Sequence, residues 1–228
     1  MHVVMLAYPG MTQLDLTGPY EVFARFRELE IHLAAKSPDP VASGDGGLRI
    51  VPTATFRSCP QADILFVPGG PGQLALMDDA ETLEFLKAQA GAATWVTSVC
   101  TGSLVLAAAG LLSGYRATCH WLSLPQLSMF DIEPVTERVV IDRNRVTGAG
   151  VTSGLDFALT LCALIFGEPR ARLVQLSMEY DPSPPFPGGS PASADAETLA
   201  ALTRFAAPFQ KTREDAARKA AAALGLGR

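Results

Sequence analysis

The chain reads as an α/β fold built on a mostly parallel sheet with helices on both faces. Strand-like and helix-like segments alternate along it, and the strand-like ones are continuous apolar runs. That pattern belongs to strands buried on both faces. With 228 residues, 48% hydrophobic and 18% charged, there is enough chain for one sizeable core. We therefore expect a single domain over residues 1–228. Residues from about 181 to 228 would add a Pro/Gly-rich loop and a C-terminal helix packed on the same domain.

The elements follow in order. HVVMLAY reads as a buried strand, and GPYEVFARFREL as a helix with Pro19 near its first turn, where a missing N–H costs nothing. IHLAAK and RIVPTATF are strands, with ASGDGG turning between them. ADILFVPGG is a short apolar strand ending in glycines. AETLEFLKAQA has helical periodicity. TWVTSV is a strand and GSLVLAAAGLL a helix. VTERVVIDRNRVTGAG predicts a hairpin around Asp142–Asn144. LDFALTLCALIFG is a buried helix stopped at Gly167, and ARLVQLSMEY is another helix. The loop DPSPPFPGGSPASAD leads to a charged, alanine-rich helix from about Glu197.

Several classes are disfavoured. A net charge of −5 with no Lys/Arg stripe argues against a nucleic-acid partner. The opening MHVVMLAYPGM lacks the basic flank and cleavage site of a signal peptide. No apolar run reaches the roughly 18–20 residues of a membrane span, so a cytoplasmic location without membrane association is expected. Cys59, Cys100, Cys119 and Cys162 form no C-x-x-C pair, so no metal site is expected and four free thiols are. Cys162, in the apolar run FALTLCALIF, and Cys59, before Pro60, read as structural.

Cys100 is different. In WVTSVCTGSLVLAAAGLL a β-branched run passes directly into an apolar helix. Such a junction forces its central residue into a strained turn, the arrangement of a nucleophile elbow. Gly102 would keep the first turn slim beside the neighbouring strand. The helix start favours an anion and is expected to lower the thiol pKa. The competing reading is a buried cysteine at a strand end. Ligands of parallel sheets bind beyond the C-terminal strand edges. There LFVPGGPG places Gly69, Gly70 and Gly72, whose amides, with that of Thr101, are expected to form an anion hole; they could instead make only a turn. Asp15, in LDLTGP, either caps a helix or, if Thr17 caps instead, points at the site.

LDLTGPYEVF, LFVPGGPG, SVCTGS and RATCHWLS occur in this order from Val3 to about Phe166. Together they resemble the ThiJ/PfpI superfamily, whose fold is class I amidotransferase-like. The resemblance implies a flavodoxin-like sandwich, a nucleophile at Cys100 and a homodimer. Protease-like members place a histidine directly after the cysteine. Here that residue is Thr101, which puts amidase or protease activity in doubt. The D-x-T-G-P and C-T-G combination is similar both to isonitrile hydratases and to the ligand-binding half of AraC-type regulators. MEYDPSPPFPGGSP resembles a hydratase stretch and favours that branch.

The implied chemistry is a hydro-lyase reaction without metal or organic cofactor. Cys100 would add to the terminal carbon of an isonitrile, with Asp15 as the acid. Asp15 would next activate water to release an N-substituted formamide. Asp15 and Cys100 are expected to titrate as a coupled pair, with the Asp15 pKa raised by burial and like charge. Thr101 offers a hydroxyl to water or to the substrate nitrogen, or bonds within its own turn. His120 either lines the pocket or is a hydrogen-bonded structural residue. Gly150 and Val151, between a strand and a helix, are expected to position thiolate or ligand. A redox or small-ligand sensor using the same Cys100, and a glyoxalase-like hydratase, are the alternatives.

Overall fold

The computed structural model describes residues 1–44 and 47–226; Asp45 and Gly46, inside the expected ASGDGG turn, lie outside the described residues. The strands are β1 (His2–Leu6), β2 (Glu30–Ala35), β3 (Val41–Ala42), β4 (Arg49–Ile50), β5 (Ala54–Thr55), β6 (Ile64–Val67), β7 (Trp95–Val99), β8 (Arg116–Ala117), β9 (Glu133–Pro134), β10 (Val139–Asp142) and β11 (Arg145–Gly148). The helices are α1 (Gln13–Phe23), α2 (Gln73–Leu76), α3 (Ala80–Ala90), α4 (Gly102–Ala108), α5 (Ser153–Phe166), α6 (Glu168–Ser177) and α7 (Ala196–Ala223).

Seven strands form one sheet in the order β10-β11-β7-β6-β1-β2-β5. Every neighbouring pair in it is parallel except the hairpin β10–β11. Read across its parallel core, the sheet has the doubly wound order of flavodoxin-like folds. β6 is buried along its whole length and β1 from Val3 onward, as continuous apolar runs require. The hairpin turns where expected, with Arg143 in the left-handed region at φ 54°. Gly167 ends α5 at φ 89°, a conformation glycine adopts without strain.

Three features correct or extend these expectations. RIVPTATF is not one strand. It splits around Pro52 into β4, paired with β3, and β5 at the sheet edge, because proline has no N–H for a ladder. Residues 121–130, left unassigned above, form a 3-10 helix. Third, α1 opens at Gln13 rather than Gly18, which makes Pro19 an interior residue. The Pro19 ring lies against Gly154 of α5, so close that a Cβ at 154 would come within 3.0 Å of it. Packing on α5 outweighs the missing helical hydrogen bond.

α7 begins after Asp195, whose carboxylate accepts the Thr198 N–H at 2.8 Å. Its buried face, Arg213, Ala217, Ala220 and Ala221, packs against α4 and the 3-10 helix. Among the described residues no helix is long and apolar enough to cross a membrane.

Candidate active site

Cys100 sits at the C-terminal edge of β7 with φ 56°. A left-handed conformation at a non-glycine residue costs about 1–2 kcal/mol, and here the elbow imposes it. The Cys100 N–H donates to the Gly148 carbonyl of β11 at 3.0 Å, tying the turn to the neighbouring strand. Gly102 has the expected role: a Cβ there would collide with the carbonyl oxygens of Val67 and Pro68 at the end of β6. Ser103 braces the turn from inside. Its Oγ lies 2.9 Å from Ser98 Oγ and donates to the Thr118 carbonyl at 2.7 Å.

Asp15 lies in the first turn of α1 and is fully buried. It caps nothing, and neither does Thr17, whose hydroxyl bonds Gln13 Oε1 at 2.9 Å. Helix entry falls to Thr12, without a side-chain cap. The Asp15 carboxylate therefore turns inward. Oδ2 accepts the Gly69 N–H at 3.0 Å, and Oδ1 has no well-aligned donor among the described residues. Burial lifts the Asp15 pKa to about 6, against the opposing pull of hydrogen bonds from the Cys100 thiol and the Gly69 amide.

The thiol departs from expectation. Burial pushes the Cys100 pKa well up, and the neighbouring Asp15 and Cys119 charges push it the same way. The Thr101 N–H opposes this by bonding the sulfur, yet the helix start is overruled. Cys100 is only 5% exposed, and α4 has just seven residues with which to build a dipole. Near neutral pH the pair therefore rests as Asp15 carboxylate and Cys100 thiol, its shared proton on sulfur.

The glycines serve a different purpose from the one expected. The Gly69 amide is taken by Asp15, the Gly70 amide donates to Thr101 Oγ1 at 3.0 Å, and the Gly72 amide donates to the Gly10 carbonyl at 3.0 Å. None of these amides is free for an oxyanion; they hold the acid and the elbow in place. The Thr101 hydroxyl is thereby fixed within the site, 3.4 Å from the Gly70 carbonyl. Gly70, at φ 135°, has no room for a side chain beside the Thr12 N–H.

At Gly69 a Cβ would lie 2.5 Å from Thr101 N, 2.8 Å from Thr101 Oγ1 and 2.8 Å from Asp15 Oδ2. Gly69→Ala is accordingly expected to cost about 1–3 kcal/mol and lower the melting temperature. Gly189→Ala, where nothing lies within 4 Å, should melt like the unmodified protein. Equal melting of the two variants would show that Asp15 and Thr101 do not close around residue 69.

His120 is half-buried, and its Nδ1 accepts the Leu122 N–H at 3.3 Å, capping the 3-10 helix. Burial, then the nearby Arg213 charge, holds its pKa below the usual value, so it is neutral near pH 7. The structural reading thus accounts for Nδ1, while the ring edge faces Gly150, whose Cβ position lies 3.6 Å from His120 Cδ2. Gly150 and Val151 follow closely on Gly148, the partner of the Cys100 amide. They border the elbow's support.

Tyr8 and Arg213, two neighbours of the pair, escaped the sequence reading, and a third, Cys119, was read only as a free thiol. Tyr8, just past β1, is 3% exposed and donates to the Pro68 carbonyl at 2.9 Å. Burial, then the Asp15 and Cys100 charges, raises its pKa. Cys119 is buried close enough to influence Cys100, its own pKa pushed up to about 12, chiefly by burial. Arg213, from α7, is 5% exposed and donates to Ser123 Oγ at 2.9 Å. Its guanidinium lies 4.6 Å from the Phe209 ring centre, and its Nε has no partner among the described residues. It interacts electrostatically with Cys100, Cys119 and Tyr8. A signal for Arg213 existed: it falls on the same helical stripe as Ala217, Ala220 and Ala221, where a solvated arginine would be out of place.

The DJ-1/PfpI family model matches residues 1–164. An isonitrile hydratase of Pseudomonas putida is 48% identical over 226 residues, covering 99% of each chain. The HTH-type transcriptional regulator GbdR of Pseudomonas aeruginosa is 39% identical over 137 residues, 59% of this chain and 37% of the regulator. Among solved structures, a ThiJ/PfpI family protein from Pseudomonas syringae superposes with a TM-score of 0.92 at 49% identity, covering 95% of this chain and 90% of that one. With 164 of its 228 residues matched, the chain is a member of the DJ-1/PfpI family.

Proposed function

We propose that this protein is an isonitrile hydratase, adding water to an isonitrile to give an N-substituted formamide. The carrying observation is the buried Cys100–Asp15 pair, a thiol beside a carboxyl whose pKa is raised to about 6, with no imidazole as base. The near-full-length likeness to the Pseudomonas putida hydratase supports the same reading, whereas the likeness to the regulator covers little over a third of that protein.

The terminal carbon of R–N≡C can accept both a proton and a nucleophile. As the sulfur bonds that carbon, Asp15 takes the thiol proton and passes it to the same carbon. The product is the thioimidate R–N=CH–S–Cys100, with no atom gained or lost. In the second stage Asp15 removes a proton from water as its oxygen attacks the thioimidate carbon, and the nitrogen is protonated. The C–S bond then breaks with return of a proton to sulfur, releasing R–NH–CHO and the Cys100 thiol. One carboxyl thus acts in both stages, which suits a pKa near neutrality. The proton begins on sulfur, so Asp15 is a shuttle from the outset rather than a standing acid. The isonitrile head is a narrow rod, fitting a sulfur that is only 5% exposed.

Gly69 and Gly70 serve this reaction by placing Asp15 and Thr101; Thr101 Oγ1 is the hydroxyl assigned to water or the substrate nitrogen. Gly150, Val151 and His120 are assigned to the pocket border. We further propose a second copy of the chain as partner. Large apolar side chains lie open on α6 (Leu173, Leu176), the following loop (Phe186) and α7 (Phe205), and these are the side chains a partner copy would cover.

Mixing the protein with an alkyl isonitrile should produce the formamide carbonyl band catalytically. Intact-mass spectrometry during turnover should show the protein plus one isonitrile on Cys100. If neither product nor adduct forms while peroxide still oxidises Cys100, the sensor reading replaces the hydratase.

A further inference from the structure

The N-terminal edge of the sheet, opposite the elbow, gathers two of the chain's three histidines. β1 and β2 run parallel with His2 facing Glu30 and Val4 facing His32. Residues two apart on a strand share a face, so His2, Glu30 and His32 project on one side. His2 Nδ1 lies 3.0 Å from His32 Nε2. Glu30 reaches both rings, with Oε2 at 3.6 Å from His2 Nδ1 and Oε1 at 3.5 Å from His32 Nε2.

We propose that His2, Glu30 and His32 form a binding site for a divalent transition metal of the zinc class, remote from the catalytic pair. A tetrahedral ion with bonds of about 2.0–2.1 Å separates its ligands by about 3.3–3.4 Å; here the ring nitrogens lie 3.0 Å apart, each carboxylate oxygen lies within 3.6 Å of one of them, and one ligand atom from each residue falls within 4.8 Å of the others. Two imidazoles and one carboxylate suit zinc, cobalt, nickel or copper; calcium and magnesium prefer all-oxygen sites. The two rings already converge, so little rearrangement is needed to place an ion between them. The backbone beneath is fixed: the His2 N–H donates to Asp63 Oδ2 at 2.6 Å, and the Asp63 N–H donates to the His2 carbonyl at 2.9 Å. His32 is mostly covered, its side chain 15% exposed, whereas those of His2 and Glu30 are 41% and 68% exposed. Water can therefore fill a fourth position, and the ion can enter from solvent. Bound there, it would cross-link β1 to β2, two strands otherwise joined at this end by main-chain pairing.

The test uses untagged protein titrated with cobalt(II), read by visible absorption, and with zinc, read by thermal melting. One equivalent of cobalt should give d–d bands without a thiolate-to-metal charge-transfer band, and zinc should raise the melting temperature. His32→Gln and His2→Gln should each weaken cobalt binding by at least about 100-fold and abolish the zinc shift. Glu30→Gln, at an exposed side chain, keeps the fold testable if a histidine variant misfolds, and should weaken binding as well. A charge-transfer band would assign the metal to cysteine and overturn the proposal. So would binding that is indifferent to His2→Gln and Glu30→Gln, or no saturable binding below millimolar metal. None of these outcomes bears on isonitrile turnover, so the hydratase reading stands or falls separately.

Discussion

Cys100→Ala is expected to reduce isonitrile hydration at least about 10⁴-fold, the scale of losing a covalent nucleophile, with the fold retained. Without sulfur there is no thioimidate, so the mass adduct should vanish together with turnover. The melting curve should shift only slightly downward. The residue is buried, so some packing is lost, but the variant keeps a Cβ at φ 56° and hence the same backbone strain. Cys100→Gly tests that strain directly. Glycine relieves about 1–2 kcal/mol of it, set against about 0.4–1 kcal/mol of extra unfolded-state entropy. Cys100→Gly should therefore melt no lower than Cys100→Ala. A wild-type rate in either variant would remove Cys100 from the chemistry, and a much less stable glycine variant would refute a strained elbow.

Asp15→Asn should lose turnover by about 10²–10⁴-fold, because the amide can carry proton neither to carbon nor from water. If water attack is the harder stage, the thioimidate should accumulate; if proton delivery is harder, no adduct should form. The same variant carries a stability signature of known sign. The folded carboxyl has its pKa raised from 3.8 to about 6, so the unfolded chain gives up its proton first. As pH rises from about 4 to about 6 the native protein loses roughly 3 kcal/mol from this group, and the loss stays constant above that window. The substituted amide cannot ionise and escapes it. Comparing variant and wild type at pH 4 and again at pH 8 cancels the fixed cost of burying an amide. The variant's relative stability should improve between the two. A difference independent of pH would mean that the carboxyl is not buried, and wild-type turnover in Asp15→Asn would remove it from both stages.

Much of this site was legible from residue types in order. A β-branched strand running into an apolar helix at one cysteine has few other structural solutions, so Cys100 and Gly102 could be placed without coordinates. Asp15 was found, but its setting was misread. Pro19 normally marks a helix start, but here it lies inside a helix that begins at Gln13, its ring packed on Gly154. The thiol's pKa was misjudged because helix position is written in sequence and depth of burial is not. The amides of Gly69 and Gly70 looked free because their acceptors, Asp15 and Thr101, lie far away along the chain. Arg213 was missed because its meaning depends on where α7 docks, and Tyr8 because a tyrosine ending an apolar strand passes as core.

The contribution of α7 bears on the order of synthesis. The family model ends at residue 164, and the elbow, the acid and their glycines all precede that point. Chains leave the ribosome amino terminus first, so Cys100 and Asp15 emerge before Arg213 does. Until α7 docks, the nascent pocket lacks the buried cation that interacts with Cys100, Cys119 and Tyr8. The buried cation is thus the last part of this environment to be synthesised, and a ribosome-stalled chain ending before α7 would contain Cys100 and Asp15 without their positive neighbour.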